Sequence, residues 1–444
     1  MKRIAAFVLA AVVLAAAAAG AETYRFTLEQ AIAYGLENSS SIRAKALAME
    51  AARQDLAAAR SGYYPALSAS ASWSHLFEQP FEEFPGFGRL YLSGTDPLSL
   101  SASLSQTLYT FGKLKAGVEL AAEGVAQAAL DLAEEKRKTV VLIKKAYYAY
   151  LLSNEVLAIN EQTLGRKQDA LEVAQKRYAA GLVADYEVLR AESDLESYRA
   201  TVISSRNAVQ IALLNVRNVL GIQEEEFSFE LLGSLEPLQV KLERKALLSM
   251  ALARKYELLS FRKGMDAVAA QERLNRSLNK PTLAGFVGYQ LQSGFDAATG
   301  ADEYFTADAW EGSLSAGLSL SFPVSALLPW SKESAAIRKS ELQLENLRLQ
   351  YQSLENGIRI AVESGLLNVA EQEAKIASGQ KSVELAQRLY ESAEQQYLAG
   401  YISSVDLKDA QLGLNGAQLA YAQAIFGYNQ NILELMDLVG VAEF

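Results

Sequence analysis

From Leu67 to Ser74 apolar and small polar residues alternate one for one, with Leu67, Ala69, Ala71 and Trp73 against Ser68, Ser70, Ser72 and Ser74. Leu98, Leu100, Ala102 and Leu104 alternate with Ser99, Ser101, Ser103 and Ser105 in the same way. Leu314, Ala316, Leu318 and Leu320 do so against Ser313, Ser315, Gly317 and Ser319. A fourth stretch, Leu283 to Leu291, is less regular and puts Phe286 on the minority face. Period-two alternation predicts four β-strands, each with one apolar and one small polar face. Strands of about ten to twelve residues can cross a bilayer at a tilt. Each pair is joined by a long loop, Phe77 to Asp96 and Ser293 to Trp310. A soluble sandwich is the competing architecture; strand length and these loops favour a membrane sheet.

Elsewhere the period is seven. Ile143, Tyr150, Leu157, Leu164, Leu171 and Tyr178 recur at that spacing, as do Val362, Val369, Ile376, Val383, Tyr390 and Tyr397. A strict seven-residue repeat marks a coiled-coil seam. All eight prolines fall outside 98–236 and 330–444, and proline is what helix interiors exclude. The stretch from Lys113 to Ala180 is therefore free to run as one helix of about 100 Å. The helices expected over Leu28–Arg60 and Asp185–Leu220 are each about half as long; laid end to end they match it.

The chain repeats itself. Tyr178-Ala-Ala-Gly181 through Ala191 returns as Tyr397-Leu-Ala-Gly400 through Ala410, and the same offset pairs Leu195 with Leu414 and Gly221 with Gly440. Pro65-Ala-Leu67 matches Pro281-Thr-Leu283. The reading is an internal tandem duplication: a first repeat over 22–232, a linker over 233–241 around Pro237, and a second repeat over 242–444. Each repeat runs helix, two strands, long helix, tight turn, helix. Four strands cannot close a barrel in lipid, where an open edge leaves backbone groups unsatisfied, so the chain is expected to oligomerise.

Composition narrows the rest. Lys2 and Arg3 precede an apolar run from Ile4 to Ala19, and Ala19-Gly20-Ala21 has the form of a signal-peptidase site, so 1–21 is read as a secretory signal peptide. The chain has no cysteine, which excludes disulfides, thiolate metal sites and thiol catalysis. Its single histidine, His75, follows a strand near an outer loop with no second ligand nearby in sequence. The net charge of −10 argues against nucleic acid as a partner. No nucleophile–base–orienter set, phosphate loop or metal-ligand cluster is present, so neither an enzyme nor a cofactor-binding protein is expected.

With its strand order, duplication and hairpin turns, the chain resembles the TolC-type outer-membrane efflux proteins over essentially its whole length beyond the leader. The turn motifs at Tyr178-x-x-Gly181 and Tyr397-x-x-Gly400 carry the resemblance. So does Leu104-Ser-Gln-Thr-Leu-Tyr-Thr-Phe-Gly-Lys113, similar to the family's Leu-Ser-Gln-Pro-Leu-Phe-x-x-Gly-Lys pattern. The resemblance implies a mixed α/β membrane protein. Three chains, four strands each, would share a twelve-stranded transmembrane β-barrel continued by a long α-helical coiled-coil tunnel through the periplasm. It implies the outer-membrane channel of a tripartite efflux or type I secretion system, partnered by a periplasmic membrane-fusion adaptor and an inner-membrane pump. The alternative is a soluble periplasmic coiled-coil scaffold or adaptor, which would share the helices and lack the strands.

Two places are singled out. At the hairpin turns, Gly181 and Gly400 can take the left-handed conformation that ends a helix, and Asp185 or Ser403 can cap the next one. Leu182, Val183, Tyr401 and Ile402 then stand exposed at a narrow tip, and by the resemblance Gly181–Val183 and Gly400–Ser403 form the adaptor-docking surface. Ser403 with Asp406 has the form of a capping box. Val405-Asp406-x-x-Asp409-Ala410 matches the family's gate pattern, which implies an acidic ring of Asp406 and Asp409 under threefold symmetry. Tyr397 keeps the position of a latch tyrosine, while Ile402 stands where some relatives place a latching arginine. The first repeat has Glu187 and Arg190 at the positions of the two aspartates.

Overall fold

The computed structural model describes residues 24–86, 88–222, 229–305 and 310–443. The expected signal peptide lies outside the described residues. In chain order the elements are β1 (Tyr24–Phe26), α1 (Leu28–Asn38), α2 (Ser40–Ser61), β2 (Ala66–Trp73), β3 (Phe81–Phe84), β4 (Gly88–Tyr91), β5 (Leu98–Tyr109), α3 (Lys113–Ala179) and α4 (Asp185–Leu220). Then follow β6 (Phe229–Leu231), α5 (Arg244–Arg254), α6 (Tyr256–Ser277), β7 (Thr282–Phe295), β8 (Asp302–Glu303), β9 (Trp310–Ser321), α7 (Lys332–Leu398) and α8 (Ser404–Val439). The four helices of the first half hold 11, 22, 67 and 36 residues, and those of the second half hold the same four lengths.

The elements sort into two compact units, each discontinuous in sequence. One contains β2–β5 and β7–β9, from Ala48–Ala129 and Phe261–Gln350; the other, which holds the parallel pair β1–β6, draws on the chain up to Leu47, on Leu130–Ser260 and on the chain from Tyr351 onward.

In the strand unit, β2, β5, β7 and β9 lie side by side, antiparallel, in that order. The register keeps the two faces apart. Ser68, Ser70 and Ser72 face Ser103, Ser101 and Ser99, each pair joined hydroxyl to hydroxyl at 2.7 Å. The serine face continues across Gln290 of β7 to Ser313 of β9. Phe286 falls on this polar face too, and Gly317 opposite makes room for it, since a Cβ there would lie 2.8 Å from the ring. The other face is apolar and bare: Leu67, Leu314, Leu318 and Leu320 are 77%, 74%, 72% and 69% exposed. A sandwich would bury that face, so the sandwich architecture fails here. Among the described residues no helix is long and apolar enough to cross a membrane.

Two expectations need correction in this unit. The loop Phe77–Asp96 is not plain loop but carries the hairpin β3–β4, with Phe81 opposite Tyr91. The loop starting at Ser293 begins later, because β7 runs on to Phe295 and pairs there with β8. His75 is part of this loop structure, its Nδ1 lying 2.8 Å from Asp96 Oδ1.

The other unit holds a continuous core. Ile143 of α3, Leu220 of α4, Leu247 of α5, Val362 of α7 and Ile432 of α8 are all buried within it. The heptad positions of α7 are buried or half-buried along their whole length, and those of α3 down to Leu171, with Tyr178 exposed. The helix expected over Leu28–Arg60 is broken: α1 ends with Ser39 in an extended conformation, and α5 ends the same way at Lys255. The cause is tertiary. The left-handed glycines ending α4 and α8 sit against these breaks, where a Cβ on Gly221 would lie 2.8 Å from Asn38 O and one on Gly440 2.7 Å from Arg254 O. The segment around Pro237 is pinned by the fully buried Asn429, whose side chain donates to Glu236 O and accepts from Leu238 N.

Candidate functional site

The two hairpin turns are built alike at their glycines. Gly181 and Gly400 take φ of 74° and 81°. Leu182 N–H returns to Arg177 O at 2.9 Å, and Tyr401 N–H to Gln396 O at 2.9 Å, so each turn closes the preceding helix with a six-to-one bond. Leu182 and Tyr401 project into solvent, 70% and 83% exposed, while Val183 and Ile402 are half-buried.

The turns differ in how the next helix begins. Ser403 caps α8 in a full capping box: its Oγ accepts from Asp406 N–H at 3.3 Å, and Asp406 Oδ2 accepts from Ser403 N–H at 3.0 Å. The Ser403 hydroxyl, donating to Asp406 Oδ2 at 2.7 Å, and then the Ser403 N–H hold the Asp406 carboxyl below its usual range. The first turn has no counterpart. Its cap position is Ala184, with no side-chain bond, and Asp185 lies one residue inside the helix. The expectation that Asp185 caps α4 is therefore corrected: at that position its charge complements the helix dipole without closing the cap.

Between the two hairpins runs a polar seam. One line of α3, three residues beyond the apolar heptad line, carries Asn160, Lys167 and Ala174, all buried. Tyr198 OH donates to Asn160 Oδ1 and accepts from Asn415 Nδ2, each at 2.7 Å, joining α3, α4 and α8. Nearer the turns, Lys408 Nζ pairs with Asp194 at 2.8 Å and Ser404 Oγ donates to Glu187 Oε2 at 2.6 Å. Arg177 donates to Tyr397 O at 3.1 Å, and its guanidinium lies 4.9 Å from the Tyr397 ring centroid. Arg166 stands over Tyr390 in the same way at 5.1 Å. Burial, and then its hydrogen bond to Glu394, push the Tyr390 phenol up to about 12. Burial lowers the Lys167 amine, with Asp194 partly restoring it. A small cleft of about 60 Å³ remains, lined by Lys167, Glu187, Asp194, Tyr397, Leu407 and Lys408.

This seam divides the residues singled out from sequence. Tyr397, only 8% exposed, lines the cleft, as does Glu187. Ser404, Leu407, Lys408 and Gln411 of α8 face it as well. Asp406 and Asp409 occupy the opposite side of the helix, both exposed. Asp406 is engaged in its own cap; Asp409 has no partner among the described residues. Sequence reasoning missed Arg177, Asp194, Tyr198 and Lys408. The signal available for the seam was a buried-position polar line, Asn160 and Lys167, at heptad spacing beside an apolar one.

Comparison with known proteins bears on this geometry. A family model described as "Outer membrane efflux protein" matches residues 32–222 and 247–441. The outer membrane protein TolC of Escherichia coli K12 is 23% identical over 409 residues, covering 90% of this chain and 79% of that protein. The outer membrane efflux protein BepC of Brucella suis is 21% identical, covering 95% and 86%. Among solved structures, the outer membrane protein VceC of Vibrio cholerae superposes with a TM-score of 0.73 at 18% identity, covering 93% of this chain and 96% of that one. A membrane protein from Pseudomonas aeruginosa gives 0.75 at 17%, covering 93% of both. The fold is shared with these structures, and with the family match running through both halves the chain belongs to the outer membrane efflux protein family and is an outer-membrane channel.

Proposed function

We propose that this protein is the outer-membrane conduit of a tripartite efflux or type I secretion system, assembled from three copies of the chain. The observation that carries the assembly is the sheet: four strands with one bare apolar face, one serine face, and edges at β2 and β9 that each have a single neighbour among the described residues. Three such sheets joined edge to edge make a twelve-stranded barrel with leucines toward lipid and serines toward a water-filled lumen, satisfying the edge groups that lipid cannot. The identical helix lengths in the two halves support a tandem duplication, with repeats over 22–232 and 242–444 and the linker 233–241 between them.

In this reading Gly181–Val183 and Gly400–Ser403 dock a periplasmic membrane-fusion adaptor that connects to an inner-membrane pump. The exposed apolar Leu182 and Tyr401 support it, since apolar groups held out at a turn mark a contact surface. Asp406 and Asp409, exposed on the solvent face of α8, form the acidic periplasmic gate, and Tyr397 sets the packing of the hairpin that carries them.

The test is extraction followed by conductance. The protein should remain in carbonate-washed membranes, require detergent for release, and form pores in a planar bilayer. Release by the wash without detergent, with no conductance, would instead identify a soluble periplasmic scaffold.

A further inference from the structure

After β9 the chain does not pass directly into α7. In the first half only Thr110, Phe111 and Gly112 separate β5 from α3; in the second, Phe322–Ser331 lies between strand and helix. Pro323 opens one turn of 3-10 helix, Val324–Leu327, closed by Ala326 N–H to Pro323 O at 3.0 Å and Leu328 N–H to Ser325 O at 3.2 Å. The segment is fastened to the start of α7. Ser331 Oγ donates to Ala326 O at 3.3 Å and accepts from Ser334 N–H at 3.1 Å, and Ser334 Oγ donates to Leu328 O at 3.1 Å. Ala326, beneath the turn, is buried.

The opposite side is apolar and open. Val324, Leu327 and Trp330 are 63%, 53% and 81% exposed. No charged residue occurs from Gly312 to Ser331, so the chain runs uncharged from the bare leucines of β9 into this segment; charge resumes with Lys332 and Glu333. A rigid, uncharged projection continuous with a lipid-facing strand has the chemistry of an interfacial anchor, with tryptophan, apolar in body and polar at its N–H, suited to headgroup depth.

We propose that Pro323–Trp330 is a membrane wedge, inserted beside β9 into the periplasmic leaflet of the outer membrane, with Lys332 reaching its phosphates. The wedge is present only in the second half, so each protomer contributes one, and together they fix the depth at which the barrel sits. The proposal rests on the barrel reading, and the experiment separates the two. The chain has three tryptophans, Trp73, Trp310 and Trp330. Trp73→Phe/Trp310→Phe leaves Trp330 as the sole emitter. In phosphatidylcholine vesicles, lipids brominated near the headgroup end of their acyl chains should quench it, and aqueous acrylamide should quench it weakly. A companion protein with all three tryptophans changed to Phe and Leu318→Trp added reports the strand face. Quenching of the Leu318→Trp protein by bromolipid with none at Trp330 overturns the wedge and leaves the barrel standing. Shielding of Trp330 from both quenchers also overturns it, by placing a neighbouring protein surface over the segment. If neither emitter is quenched by bromolipid, the barrel reading falls and the wedge with it.

Discussion

The two hairpin turns share a glycine geometry and divide the labour around it. The first turns its polar groups inward: Arg177 holds Tyr397, Glu187 accepts from Ser404, and Asp194 pairs with Lys408. The second closes its helix with its own capping box and leaves Asp409 bare. The first hairpin supplies Arg177, Glu187 and Asp194 to the seam, and the second adds the exposed Asp409 on its outer side. The sequence difference behind this is small, Ala184 against Ser403 and Arg190 against Asp409 at matched places. Two hairpins of equal helix lengths thus differ in which side chains they turn inward and which they leave exposed.

Breaking the comparison most severely should be Asp406→Ala/Asp409→Ala. A unit-charge pair a few ångströms apart in water is worth about 1 kcal/mol, so removing six carboxylates from a trimeric ring should weaken block by a trivalent cation by roughly tenfold or more. Planar-bilayer recordings read this directly. Glu187→Ala should leave the block nearly unchanged; an equal loss there would erase the distinction between the turns.

Next in size are the glycines. Gly181→Val and Gly400→Val each force a β-branched residue into the left-handed region, at about 1–2 kcal/mol per turn. Trimers should survive in detergent while efflux and adaptor crosslinking fall. Unchanged efflux in both variants would remove the turns from docking.

Ser403→Ala should cost about 0.5–2 kcal/mol of local stability at the second turn, and Ala184→Ser should gain a smaller amount at the first. Amide exchange across each turn reports both. The capping box adds a pH dependence. Because Asp406 is held below its usual range in the folded chain, its contribution is complete above the ordinary carboxylate pKa and is lost as pH falls through the lowered one. Exchange at 401–407, corrected for its intrinsic pH dependence, should therefore rise in acid, with no matching rise at 182–188. A comparable effect is expected from Arg177→Met, which removes both the bond to Tyr397 O and the contact to the Tyr397 ring, the ring contact alone worth about 0.5–1 kcal/mol, and should loosen 397–402 more than 178–183.

Much of this was legible from periodicity. The serine–leucine alternation gave the strands and their two faces, and the observed register, serine opposite serine, is the pairing that keeps both faces pure. The heptad line of α7 told where it packs, and Ser403–Asp406 announced its own cap. What escaped was set by partners far away in sequence. The breaks at Ser39 and Lys255 depend on Gly221 and Gly440 lying against them. The Lys408–Asp194 pair joins residues on different hairpins, and no local pattern relates them. Asp185 misled because an acidic residue suits both the cap and the first helical position, and only the backbone decides between them.

The central claim, that this chain is one third of a barrel, is tested most directly by the mass of the particle released from outer membranes in mild detergent. Mass photometry should give three chains per particle, stable on dilution. A stable monomer or dimer would contradict it, because four strands cannot close a barrel and eight would make each chain one half of one.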